Sequence, residues 1–261
     1  MADDEGHWRT RAVEDFLRTV YELQQGISPV TTTQIGRRLH VTAPSVHDMI
    51  RRLGPRPADS DSLSQSYPPM PLLDHQPYHG VRLTPEGKLI ALQVIRRRRL
   101  LKQYLVQKLG YGWDEVDPEA DRLEHAVSER LTERLAIVLG NPQADPQGDP
   151  IPDKGGSVRP CAAEIALVDM GVGQHGVITR VADYSAELLR FLGDLGVQPG
   201  VELRVVDRSP LGDTVTVQIG SAASLYVLSE LVASHLRVTH APQRARKQAL
   251  HPQPDVKAGI R

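Results

Sequence analysis

What most constrains this chain is a change of texture after residue 140. Up to about Leu139, apolar residues recur at helical spacing; from Ala162 onward, short Val/Ile runs alternate with Gly-containing turns. A helical part followed by a strand part within 261 residues predicts a mainly α protein with a C-terminal β domain, divided into two or three modest domains. No apolar run is long enough to cross a bilayer, so no membrane partner is expected. The opening Met1-Ala2-Asp3-Asp4-Glu5 lacks the apolar core of a secretory signal. A single cysteine, Cys161, excludes an internal disulfide framework and predicts a reducing, cytoplasmic home. The net charge of −1 hides an asymmetry: the first 110 residues are basic, residues 111–240 are acidic, and the tail is basic again. That pattern predicts an anion-binding module beside a cation-binding one.

Within the basic part, Val13, Phe16, Leu17, Val20, Tyr21 and Leu23 predict a helix over about 9–25, ended by Gly26. A short second helix follows over Thr31–Leu39. Thr42 then caps a third helix with Pro44 in its first turn, running to about Leu53. A longer helix backed by two short ones around a tight turn has the proportions of a helix-turn-helix unit. Residues 54–71, rich in Pro and Ser, read as an insertion. Leu72-Leu73 and Gly80–Leu83 read as the two strands of a wing. Thr84-Pro85 opens a long helix to about Leu109, apolar over more than one stripe and therefore expected to bury surface against a second copy as well as its own domain. Within it, Arg96–Arg99 are expected mostly to face solvent.

A helix over Pro118–Leu139 is expected to carry Asp121, Glu124 and His125 at i, i+3 and i+4, on one arc. Two carboxylates and an imidazole there make half a site for a divalent cation, completed by an oxygen from elsewhere, for which the earlier pair Glu14-Asp15 is available. The same three residues also fit an ordinary solvated stripe. Residues 141–160 read as a Pro/Gly-rich linker and 161–240 as a small SH3-like β-barrel. That domain is expected to hold strands near 173–178, 197–203 and 213–217, a helix near 185–195, and a short turn or helix over 223–233. The tail 241–261 is expected to be disordered.

In this order and spacing the pieces resemble one family. They are Val13-Glu14-Asp15-Phe16-Leu17, Val41-Thr42-Ala43-Pro44-Ser45-Val46, Leu83-Thr84-Pro85-Glu86-Gly87, Leu123-Glu124-His125-Ala126-Val127-Ser128, Gly148-Asp149-Pro150-Ile151-Pro152 and Leu195-Gly196-Val197-Gln198-Pro199-Gly200. The chain resembles the diphtheria-toxin-repressor family of metal-dependent transcriptional repressors, and within it the manganese-responsive branch with a C-terminal FeoA-type domain. The resemblance implies a winged helix-turn-helix DNA-binding domain over 1–84, a helical metal-binding and dimerisation domain over 85–140, and the SH3-like domain beyond the linker. It implies a homodimer on double-stranded operator DNA, with no small organic substrate, and a metal site on Asp15, Asp121, Glu124 and His125. The iron-responsive branch has sulfur-bearing residues at the positions of Asp15 and Asp121; oxygen donors with one imidazole suit Mn²⁺, with Fe²⁺ as the alternative. The family's second metal site falls here on Arg98, Lys102, Asp117, Arg180 and Asp183, and a further acid position on Arg18, so that site is expected to be missing. Arg98 or Arg180 is expected instead to pair with a carboxylate in place of the metal's charge.

A cation bridging Asp15 to the later residues would hold the first helix against the dimerisation helices and fix the separation of two recognition helices; without it, the carboxylates are expected to repel and loosen that helix. Thr42, Pro44, Ser45, His47 and Asp48 are expected to face the major groove, with Arg51 and Arg52 on phosphates. Three alternatives remain open. One is an iron-responsive or metal-independent repressor of the same fold. Another is a metal-dependent hydrolase, against which stand the missing nucleophile elbow, phosphate loop and spare general base. The third is an adaptor whose SH3-like domain binds a proline-rich peptide, for which two Phe, two Trp and seven Tyr supply little aromatic surface.

Overall fold

Helix α1 (Arg11–Gln24) begins where the Thr10 side chain accepts from the Val13 N–H, and it buries Val13, Phe16, Leu17 and Val20 on one face. Helix α2 (Thr32–Leu39) opens on a reciprocal cap between Thr31 and Gln34. It closes on His40 in the left-handed region (φ 56°), and the chain turns at once into α3 (Ala43–Leu53), capped by Thr42. A Cβ on Gly36 would stand 3.1 Å from the Val41 carbonyl, so the tight turn needs a small residue there. Strands β1 (Leu73–Gln76) and β2 (Gly80–Leu83) pair antiparallel, Leu73 opposite Leu83. Val30 pairs with Val81 and joins the wing to the segment before α2. Phe16, Leu17, Ile35, Ile50, Leu53, Leu73 and Val81 form one core, each contributing about 1.5–3 kcal/mol of burial. The structure, a computed structural model, describes residues 8–26, 28–55, 68–76, 80–159, 163–182, 185–210, 212–220 and 225–240. Most of the expected insertion, Cys161, Asp183 and the tail lie outside the described residues.

Thr84 caps α4 (Pro85–Leu109), which ends on Gly110 at φ 74°. The single helix expected over Pro118–Leu139 is two: α5 (Trp113–Leu123) and α6 (Glu129–Val138). The break has a local cause: Ser128 accepts from the Leu131 N–H and starts a new helix, leaving 124–127 as a connecting turn. Pro118, expected at a helix start, lies inside α5.

The C-terminal part comprises β3 (Ile165–Ala166), β4 (His175–Val181), α7 (Ala186–Asp194), β5 (Glu202–Arg208), β6 (Thr214–Ile219), β7 (Leu225–Ser229), α8 (Glu230–His235) and β8 (Leu236–His240). They form an antiparallel sheet in the order β3-β8-β4-β5-β6-β7. Ile178, Val181, Leu203, Val205, Val215, Val217 and Val238 alternate inward to make its core. The segment 225–229, expected within a turn or helix, is a strand because Leu225-Tyr226-Val227-Leu228 pairs along β6.

Residues 141–159, expected as a linker, are packed. Asp145 Oδ1 accepts from the N–H groups of Gln147 and Asp149, both at 3.0 Å. Gly148 (φ 93°) lies so close to the Thr179 carbonyl of β4 that a Cβ would run into it, and the Val181 N–H bonds to the Gln147 carbonyl at 2.9 Å. Ile151 is buried with Leu100 of α4 and Ala136 of α6. The Asp-Pro-Gln-Gly-Asp composition therefore encodes a tight strap that fastens the sheet to α4. Trp113, at the start of α5, packs against the core of the sheet domain, and Asp114 pairs with Arg190 of α7 at 2.7 Å.

Candidate metal centre

Helix α1 presents Glu14 and Asp15 to the end of α5. Glu124 takes the C-cap position of α5 with helical backbone angles (φ −57°, ψ −32°), and its side chain is fully buried. His125 follows in the connecting turn. One ligand atom each from Asp15, Glu124 and His125 lie within 4.8 Å of one another. His125 Nε2 is 3.2 Å from Asp15 Oδ1 and 3.3 Å from Glu124 Oε1. Asp121, the fourth residue expected here, stands beside rather than within this group. Its side chain is 42% exposed, and Oδ1 lies 2.9 Å from Arg98 Nη1 and 3.6 Å from Arg18 Nη2.

Glu14 belongs to the site although sequence spacing did not single it out. Its Oε2 is 2.8 Å from His125 Nδ1, an orientation that fixes the ring and points Nε2 at Asp15 and Glu124. The sequence signal was the adjacent pair Glu14-Asp15, but only the fold shows that the second carboxylate turns to the imidazole. Burial alone would lower the His125 pKa; hydrogen bonds to Asp15, Glu124 and Glu14 overcome that and push it up to about 11. Burial, the largest single influence, would raise Glu14 and Asp15, but the bond to His125 together with Arg97 and Arg9 at Glu14, and with Arg18 at Asp15, outweighs it, and both carboxyls are lowered.

The donor chemistry fits a divalent ion. Glu124 Oε1 is buried, and its partners, His125 Nε2 at 3.3 Å and Arg18 Nη2 at 3.6 Å, stand at long contact distances, so a closer cation there would offset the cost of burying the carboxylate. Two hard oxygens and one imidazole nitrogen converge on that point.

The arginines expected at the surface turn inward. Arg96, Arg97, Arg98 and Arg99 have side chains only 13, 12, 18 and 21% exposed. Arg97 donates to the Glu124 carbonyl at 2.9 Å and pairs with Glu14 at 3.3 Å. Arg98 reaches Asp117 at 3.0 Å, Asp121 at 2.9 Å and Glu124 Oε2 at 3.5 Å. Buried Lys102 lies 3.3 Å from Asp117 and 2.9 Å from Asp145. Arg180 pairs with Asp149 and Glu164 at 3.4 and 3.1 Å. The expected mutual repulsion of the acids is thus corrected: Glu14, Asp15, Asp117, Asp121 and Glu124 each face at least one cation.

At the helix-turn-helix, Thr42, Pro44, Ser45, His47, Asp48 and Arg51 are exposed on α3. Thr42 and Ser45 hydroxyls are 2.9 Å apart, and Arg51 pairs with Asp48 at 2.6 Å. Arg52, expected on a phosphate, donates instead to the Trp8 carbonyl at 3.3 Å.

Residues 10–55 match the iron dependent repressor N-terminal DNA binding domain, 84–153 the iron dependent repressor metal binding and dimerisation domain, and 165–240 the FeoA domain. The iron-dependent repressor IdeR of Mycobacterium leprae is 31% identical over 216 residues, 78% of this chain and 87% of the relative. The diphtheria toxin repressor of Corynebacterium glutamicum is 29% identical over 81% of this chain and 90% of its own. Among solved structures, a manganese-dependent transcriptional repressor in complex with manganese superposes with a TM-score of 0.72 at 34% identity, over 88% of this chain and all of the other. The repressor ScaR with bound Cd²⁺ superposes with a TM-score of 0.66 at 27% identity, over 88% of this chain and 99% of the other. With its helix-turn-helix, its carboxylate–histidine cluster and its appended FeoA domain, the chain belongs to the iron-dependent, diphtheria-toxin-repressor family of metal-dependent transcriptional repressors, which are DNA-binding regulators and not enzymes.

Proposed function

We propose that this repressor responds to Mn²⁺, binding double-stranded operator DNA in the cytoplasm as a homodimer, with Asp15, Glu124 and His125 holding the ion and Asp121 beside them on Arg98. The observation that carries this is the convergence of those three donors within 4.8 Å of one another, one of them on the fully buried Glu124 side chain. Asp15 supplies an oxygen where softer metals favour sulfur, which supports Mn²⁺ over Fe²⁺. The solved relatives named for manganese point the same way, and the curated relatives named for iron keep Fe²⁺ as the second reading.

When bound, a divalent ion supplies the positive charge that links α1 to the turn between α5 and α6. Asp15 contributes the α1 side of that link, and Glu124 and His125 the other. Glu14 holds the imidazole through Nδ1, so that Nε2 would be the nitrogen left to hold the ion. Because α1 packs directly on α2 and α4, its position sets how α3 is presented. In a dimer, the separation of the two α3 helices is read by DNA as half-site spacing. Thr42, Ser45, His47 and Asp48 offer groups to base edges, Pro44 an apolar contact, and Arg51 a phosphate contact. Metal and DNA affinity are then coupled reciprocally.

The test is fluorescence anisotropy on DNA from the gene's own upstream region, at fixed salt, after chelation and after adding back Mn²⁺ or Fe²⁺. Restoration by Mn²⁺ that is abolished in Glu124→Gln supports the reading. Equal binding in chelator refutes it, and restoration by Fe²⁺ alone selects the iron reading.

A further inference from the structure

We propose that Arg98, with Arg18 beside it, is a protein-borne cation standing where a second divalent ion would otherwise sit, so that each subunit takes one ion. This rests on the metal site above and concerns its capacity. The two oxygens of Glu124 face different surroundings. Oε1 lies toward His125 Nε2 (3.3 Å) and Arg18 Nη2 (3.6 Å), whereas Oε2 lies 3.5 Å from Arg98 Nη1. Asp117, Asp121 and Glu124, spaced by four and three residues along α5 and its cap, would share a second cation on the Oε2 side. That place is filled. One guanidinium spans all three, at 3.0 Å to Asp117 Oδ1, 2.9 Å to Asp121 Oδ1 and 3.5 Å to Glu124 Oε2.

Arg18 closes the gap between the two sides. Its Nη2 is 2.9 Å from Asp15 Oδ1 and 3.6 Å from Asp121 Oδ1, so two guanidinium groups hold the same Asp121 oxygen. Lys102 adds a further cation 3.3 Å from Asp117. A guanidinium does not lose its proton and has no lone pair to offer a metal. A second ion beside Glu124 Oε2 would therefore meet a fixed positive charge on a side chain only 18% exposed, where screening is weak. The first position keeps Asp15, Glu124 Oε1 and His125, with Arg18 in contact with the first two at 2.9 and 3.6 Å.

The experiment measures Mn²⁺ bound per subunit of the full-length protein by equilibrium dialysis and elemental analysis, with the electron paramagnetic resonance spectrum of the bound Mn²⁺. The variants are Arg98→Met, Arg98→Gln and Arg98→Lys. One ion per subunit with the spectrum of an isolated Mn²⁺ is expected for the natural chain and for Arg98→Lys. Arg98→Met is expected to take about two, with the broadening of two ions sharing a carboxylate. Arg98→Gln, which keeps hydrogen-bonding capacity without the charge, is expected to do the same, and it carries the test if the methionine variant does not fold. Two ions in the natural chain overturn this proposal but leave the metal-responsive reading intact. One ion in both neutral variants also overturns it. No bound ion in the natural chain overturns both, which separates the two failures.

Discussion

Replacing Lys102 with methionine removes a buried charge while nearly conserving volume, and it isolates what fastens the 141–159 strap to α4. Lys102 is 3% and Asp145 4% exposed, with Nζ and Oδ2 2.9 Å apart. Breaking a buried pair by deleting one partner costs about 3–5 kcal/mol, because the remaining charge stays desolvated. Here Asp145 Oδ1 keeps two backbone N–H donors, which leaves about 2–4 kcal/mol. Burial already pushes the Asp145 carboxyl up, against the opposing pull of Lys102, and losing Lys102 raises it further. A carboxyl whose folded pKa exceeds its unfolded value takes up a proton on folding, so stability falls as pH rises between those two values. The Lys102→Met deficit should therefore be larger at pH 8 than at pH 5.5. Urea unfolding followed by tryptophan fluorescence reads it, since Trp113 lies where α5 meets the sheet domain. Lys102→Met/Asp145→Asn should recover most of the loss. A single variant within about 0.5 kcal/mol of the natural chain at pH 8, or a double variant no better than the single, would refute the argument.

Further outcomes follow from the site and the DNA-facing helix. Glu14→Gln, which takes the anionic acceptor from His125 Nδ1, should weaken Mn²⁺ binding by about 10–100-fold in an equilibrium titration; unchanged affinity would show that the contact does not orient the ring. Because the His125 pKa is pushed up to about 11, Nε2 must release a proton to bind an ion. Mn²⁺ affinity should then rise with pH, by up to about tenfold per unit, across titrations at pH 6.5, 7.5 and 8.5; a flat profile would sink this. Arg51→Ala should reduce the salt dependence of DNA binding by about 0.9 in log–log slope, as expected for one phosphate contact. Arg52→Ala should leave that slope unchanged and lower thermal stability instead, since its guanidinium holds the Trp8 carbonyl.

Much of the scaffold was legible from residues within four positions of one another. Thr31, Thr42 and Thr84 cap helices through their own local backbone, and Gly110 ends α4 for the same local reason, whereas the cap at Ser128 that splits 118–139 into two helices was not recognised from the helical spacing. The helix-turn-helix and wing were also readable from residue type and order, and Asp121, Glu124 and His125 were singled out by helical spacing, of which the fold brings Glu124 and His125 together with Asp15. Tertiary structure alone decided the rest. A helical pattern cannot tell which cations meet carboxylates from another helix, so the inward turn of Arg96–Arg99 became visible only once α4 lay against α1, α5 and the strap. Composition marked 141–160 as turn-rich, but the burial of Asp145, Gln147 and Asp149 depends on Lys102 and β4, which are distant in sequence. The role of Glu14 depends on a histidine 111 residues away. Capping and periodicity are set by near neighbours along the chain, whereas charge compensation in a buried cluster is set by whatever the fold brings within about 4 Å.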